Sequence, residues 1–87
     1  MKKQREKIEK ELYTKGYVTR NWALRNYISR LSAIIFDLRN EKKKFHTFYA
    51  KTKNGGQDYV YLIDNGKWTH KTITKVIEKI KEKIGKS

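Results

Sequence analysis

The sequence predicts an α+β fold in which three helices precede a two-stranded hairpin and a fourth helix follows it. Three observations lead there. Apolar residues recur at helical spacing through the first forty positions, the period changes to two between residues 45 and 63, and helical spacing returns from residue 73. The 87 residues are enough for one small domain, read as a unit over 1–66 with a helical extension over 67–87.

The first helix is expected over residues 2–15, where strong helix formers dominate, and Gly16 offers the left-handed residue that ends it. Ile8 and Leu12 lie one turn apart and are its core contacts. Glu6 with Lys10, and Lys7 with Glu11, have i,i+4 spacing and form a solvated surface. The cationic first turn opposes the macrodipole, so fraying is expected there.

Two short helices with a break between them follow in residues 19–39, the outline of a helix-turn-helix. Thr19 is placed to cap the first, and Trp22, Ala23 and Leu24 form its apolar side. Asn26, Tyr27, Ile28 and Ser29 make the break, with Asn26 and Ser29 suited to a turn and a second cap. In the second helix, residues 29–40, Leu31, Ile34, Ile35 and Leu38 share one face. At 100° per residue, Ser29, Ala33, Phe36 and Asn40 lie opposite, with Arg30, Ser32, Asp37 and Arg39 on the flanks. Phe36 and Trp22 read as packing residues. A cation beside small residues at a helix N-terminus suits close approach to base edges.

Residues 45–53 are rich in aromatics and threonine, Asn54-Gly55-Gly56 is a turn signal, and residues 57–63 form a second strand, which makes a hairpin. Directly after a recognition helix such a hairpin is a wing, with Lys51, Lys53 and Asn54 at its tip to meet phosphates or a minor groove. The plainer reading is an edge hairpin with a basic, soluble tip. Asp64-Asn65-Gly66-Lys67 is a further turn. The last helix is capped by Thr72 and carries the stripe Ile73, Val76, Ile77, Ile80 and Ile84, expected to dock against the first helix. Three uses of that stripe compete: an intramolecular core, a homodimer seam through Ile77, Ile80 and Ile84, and a membrane-surface helix.

Charge narrows the partner. With 22 Lys and Arg against 9 Asp and Glu the formal charge is +13, a self-repulsion that a polyanion relieves, so nucleic acid leads. The chain has no cysteine, which excludes disulfides and thiolate metal sites. There is no apolar run of the ~20 residues that span a bilayer and no signal-peptide core, so a cytoplasmic protein, in the host cytoplasm if viral, is expected, with no membrane partner. His46 and His70 have no ligand-spaced partners, no nucleophile elbow or P-loop is present, and Asp58 alone does not make a two-metal nuclease. A non-enzyme without metal or cofactor is expected.

Gly16-Tyr17-Val18-Thr19, then Trp22-Ala23-Leu24, then residues 28–39, ISRLSAIIFDLR, resemble the small helix-turn-helix domains of many bacteriophage and prophage proteins. The pattern of those domains runs G-x-x-T, A-L, R-L-small-small-x-I-x-x-L-R, then a glycine and a two-stranded wing. About half of the chain is covered, and the C-terminal helix is not. The resemblance implies a winged helix-turn-helix that binds double-stranded DNA, a phage or mobile-element transcriptional regulator. The chain departs from it at Asn40-Glu41-Lys42-Lys43-Lys44, where the glycine is missing, which lengthens the helix or re-aims the chain into the wing.

Position and chemistry then assign roles. Arg30 is the first choice for a base contact, since guanidinium pairs bidentately with guanine. Ser29 and Ser32 bond a base or phosphate, and Ala33 permits close approach. Arg20, Asn21 and Arg25 are phosphate candidates, as are Arg39, Lys42, Lys43 and Lys44. The competing role for Arg30 and Arg39 is a surface charge or an ion pair with Asp37 or Glu41. Two other functions stay open: a small phage-type inhibitor of a host protein or nucleoprotein, and a single-stranded nucleic-acid or RNA binder using Phe48, Tyr49, Tyr59 and Tyr61.

Overall fold

The computed structural model describes residues 2–64 and 66–86, with side chains from residue 4 onward. The elements are α1 (Lys2–Lys15), β1 (Tyr17–Thr19), α2 (Arg20–Arg25), α3 (Leu31–Asn40), β2 (Lys44–Lys51), β3 (Gln57–Asp64) and α4 (His70–Lys86). Among the described residues the fold is α+β, with four helices and one three-stranded antiparallel sheet in the order β1-β3-β2.

α1 ends where the composition predicts, with Gly16 at φ +89°. Its surface pairs are Arg5 with Glu9 at 2.7 Å and Glu11 with Lys15 at 3.1 Å, not the expected Glu6–Lys10 and Lys7–Glu11. Arg5 also donates from Nη2 to both oxygens of Glu41 at 2.7 and 2.6 Å, pinning α1 to the end of α3. Hydrogen bonds to Glu9, and then to Glu41, push the Arg5 pKa still further up.

Residues 17–19, to which the sequence assigns no strand, form a third strand. The Ile63 N–H donates to Gly16 O at 3.0 Å, and Val18 lies opposite Tyr61. Three residues are too few to display a two-residue period, so the sequence carries no strand signal there.

α2 and α3 both close by Schellman motifs. After α2, Ile28 N–H donates to Ala23 O at 2.8 Å and Tyr27 N–H to Leu24 O at 3.1 Å, with Tyr27 at φ 58° and the buried Ile28 and Ala23 supplying the apolar contact. After α3, Lys43 N–H donates to Leu38 O and Lys42 N–H to Arg39 O, with Lys42 at φ 70°. Lys42 thus takes the left-handed conformation that the missing glycine would take, and α3 stops at Asn40 without lengthening.

α2 is capped as expected, Trp22 N–H donating to Thr19 Oγ1 at 3.0 Å. The second cap differs: α3 starts at Leu31 behind Arg30, with no side-chain cap bond, so Ser29 lies outside the helix. α4 is likewise capped one turn earlier than expected, Thr72 N–H donating to Thr69 Oγ1 at 3.3 Å. The turn before it includes Asn65, outside the described residues. Gly66 N–H donates to Asp64 Oδ1 at 2.7 Å there.

The sheet separates two cores. On one face Ile8, Leu12, Val18, Ala23, Ile28, Leu31, Ile35 and Leu38 pack together, with Phe45, Tyr61 and Ile63 from the hairpin. On the other, Ala50, Val60, Leu62 and Ile80 are buried beneath Phe48, Trp68, Val76, Ile77 and Ile84. α4 therefore docks on the sheet and not on α1, because the strands' inward residues on that face are apolar too. Ile80 is only 5% exposed within one chain, which takes it away from the homodimer seam expected through Ile77, Ile80 and Ile84. No helix among the described residues is long and apolar enough to cross a membrane.

Candidate nucleic-acid interface

Three elements bring candidate residues together. Arg20 at the start of α2, Ser29 and Ser32 around the start of α3, and Tyr49, Tyr59 and Tyr61 of the hairpin line one open cleft of about 460 Å³. The two-residue period of the strands aims the three tyrosines to the α3 side of the sheet. Tyr49 and Tyr59 are cross-strand partners with ring centroids 4.7 Å apart, and Tyr59 meets Tyr61 edge to face at 5.0 Å. Ser32 Oγ lies 3.5 Å from Tyr61 Oη, which ties the first turn of α3 to the hairpin. Such ladders stabilise the strand pair and hold the rings in fixed orientation.

Phe48 does not belong to this ladder. It sits on the opposite face against α4, with Lys81 Nζ 5.8 Å from its ring centroid. The aromatic set expected to bind single strands is therefore divided between the two faces by strand alternation.

α3 turns its outward side to solvent. Leu31, Ile35 and Leu38 are buried and Ile34 half-buried, whereas Ser32, Ala33, Phe36, Asp37, Arg39 and Asn40 are exposed. Phe36, expected as a packing residue, is 63% exposed. Leu24, assigned to the apolar side of α2, is 59% exposed, since a six-residue helix has room for few inward positions and Ala23 with Trp22 occupies them.

The remaining candidates fall elsewhere. Asn21, Arg25 and Asn54 line a second cleft of about 500 Å³ on the far side of α2, together with Lys15 and Lys83. Lys42, Lys43 and Lys44 follow α3, and Lys43 Nζ stands 5.9 Å from the Tyr13 ring, directed to α1. Lys51 and Lys53 are exposed at the hairpin end. Among the described residues Arg20, Arg25, Arg30 and Arg39 form no ion pair, and Glu41, a partner considered for Arg39, is held by Arg5.

Two carboxylates have structural positions. Asp58 is buried and accepts from Asn21 N–H at 2.9 Å. Asp64 Oδ2 lies 2.8 Å from His46 Nε2 across the β2–β3 pair. That bond, then the one from Gly66 N–H, holds the Asp64 carboxyl below the usual carboxylate range.

α4 covers the hairpin from the other face. A free two-stranded hairpin is marginal in water, and here its outer face is covered by the Ile80 cluster. Sequence reasoning did not assign the tyrosine ladder to a cleft with Arg20 and Ser32; the alternation of Tyr49, Tyr59 and Tyr61 with apolar partners was the available signal. Compared with protein-family models, curated proteins and solved structures, the chain matches none.

Proposed function

We propose that the protein is a winged helix-turn-helix that binds double-stranded DNA without catalysis, as a transcriptional regulator of phage or mobile-element type. α3 is the helix that enters the major groove, and the β2–β3 hairpin is the wing that follows the phosphate backbone. The observation that carries this reading is the free outward face of α3 beside a hairpin whose tyrosines share a cleft with Arg20 and Ser32. Arg30 at the start of α3 and Arg39 near its end, neither ion-paired among the described residues, flank that face. Arginines at the margins, which outnumber the exposed Asp37 there, and uncharged groups in the centre fit a groove with phosphate walls and a base-edge floor. The net charge of +13 supplies the long-range attraction. The regulator class comes from the resemblance of residues 16–39 to phage helix-turn-helix domains.

Competition among duplex DNA, single-stranded DNA and RNA of equal length at fixed salt tests the proposal. Preference for duplex is expected. Preference for a single strand would shift the function to the tyrosine cleft as a stacking platform, and binding to none of the three would favour a protein target.

A further inference from the structure

The outward line of α3 consists of Ala33, Phe36 and Asn40, at 200°, 140° and 180° on a wheel that starts at Leu31 and turns by 100° per residue. The buried residues Leu31, Ile35 and Leu38 sit on the other side. Phe36 is the one large apolar side chain on that line, and 63% of its surface is open to water. An exposed phenyl ring between an alanine methyl and a carboxamide contributes nothing to either core cluster. No charge occupies the line; Arg30, Asp37 and Arg39 lie beside it.

Each of the three residues has a partner on one kind of base pair. In the major groove an A·T pair displays the thymine C5-methyl, which takes apolar contacts from Ala or Phe, and the adenine N7 and N6 edge, which takes a bidentate Asn. A G·C pair has no methyl, and its purine edge shows two acceptors, N7 and O6, where adenine shows the acceptor and donor that a carboxamide pairs with bidentately. From Ala33 to Asn40 the helix rises about 10 Å, close to three base-pair steps.

We propose, resting on the duplex-binding reading above, that this line reads A·T pairs in the major groove, Ala33 and Phe36 against thymine methyls and Asn40 on an adenine edge. Arg39 meets a phosphate of the groove wall and Arg30 a base edge at the start of the helix, so the line adds A·T discrimination to the contact that Arg30 makes.

Three alternating duplexes test this without knowledge of a natural site: poly(dA-dT), poly(dA-dU), which differs only by the methyl, and poly(dI-dC), which resembles A·T in the minor groove but G·C in the major groove. The wild-type protein is expected to bind poly(dA-dT) over poly(dA-dU) by about fourfold for each methyl it packs against, and over poly(dI-dC) by more. Phe36→Ala should lower the thymine-to-uracil ratio by about fourfold, leaving the share of Ala33, with thermal unfolding and affinity for poly(dI-dC) little changed. Asn40→Ala should lower the preference over poly(dI-dC) and keep the thymine-to-uracil ratio. Equal wild-type binding to poly(dA-dT) and poly(dA-dU), or to poly(dA-dT) and poly(dI-dC), with duplex affinity intact, would overturn the inference alone. Binding to none of the three would overturn it together with the duplex reading.

Discussion

Asp58, on the hairpin, accepts a hydrogen bond from the backbone N–H of Asn21, the second residue of α2, at 2.9 Å, and the residue is only 5% exposed. Thr19 Oγ1 takes the next N–H, that of Trp22, so two of the unpaired donors at the start of α2 are satisfied, one locally and one from 37 residues away. A negative group at a helix N-terminus also meets the positive end of the macrodipole. The bond fixes the hairpin to the helix pair, and with it the geometry of the candidate interface. Asp58→Ala should cost about 1–3 kcal/mol, as expected for loss of a buried charged acceptor. Urea denaturation checks this; an unchanged midpoint would remove Asp58 from the frame of the fold.

Tyr27 carries a different lesson. It holds φ 58° in the break between α2 and α3 with its side chain 90% exposed, so the ring adds little packing while the backbone adopts a conformation costly for an aromatic residue. Tyr27→Gly should stabilise the chain by up to about 1 kcal/mol. A destabilised variant, measured by thermal unfolding, would show that the ring makes contacts that matter.

Ile80 separates the two uses of the C-terminal stripe. Because it is buried against Ala50, Val60 and Leu62, Ile80→Glu should destabilise the monomer by roughly 3 kcal/mol or more. A seam between two copies would instead give a folded monomer from a wild-type dimer. Sedimentation and unfolding of both proteins distinguish these outcomes.

The His46–Asp64 bond predicts an acid limb. Asp64 is held below the ordinary carboxylate range, so its contribution is present above that range and is lost as pH falls through the lowered value, below about 4. Asp64→Asn should be less stable than wild type near neutrality, and the difference should disappear in acid. A constant difference across urea titrations at several pH values would contradict the assignment.

Most of the helical part was legible because it is periodic. Ile8 with Leu12, and Leu31 with Ile35 and Leu38, announce their buried faces, and Thr19 announces its cap. What was illegible depended on partners remote in sequence. The strand at residues 17–19 exists because Tyr61 and Leu62 lie alongside, and the site of α4 was set by Ala50 and Val60 on a sheet face that no local pattern identifies as vacant. Ser29 has the chemistry of a cap, yet α3 begins one residue later, with Arg30 in the cap position and no side-chain cap bond. For the interface, the cations were legible individually; that Arg20 shares a cleft with Tyr49 and Tyr59 whereas Arg25 lines the other side of α2 follows only from the fold.

Base reading and charge should separate by mutation. Arg30→Ala should cost about 1–3 kcal/mol on a preferred duplex and less on random DNA, shrinking discrimination. Replacing Lys51 and Lys53 by Ala should weaken all duplexes about equally and flatten a log K against log salt slope of roughly −5 by about one to two. Equal losses for Arg30→Ala on both DNAs would make it a phosphate contact, and an unaltered slope would take the hairpin end off the backbone.

The central claim is that α3 and the hairpin form one DNA-facing surface, and backbone amide shift mapping during titration with a short A·T-containing duplex tests it most directly. The expected result is perturbation at Arg30, Ser32, Ala33, Phe36 and Asn40 of the α3 region and at Lys51 and Lys53 of the hairpin, with Val76, Ile80 and the rest of α4 undisturbed. Perturbation concentrated on α4, or on Lys43 and α1 with the outward line of α3 silent, would contradict it.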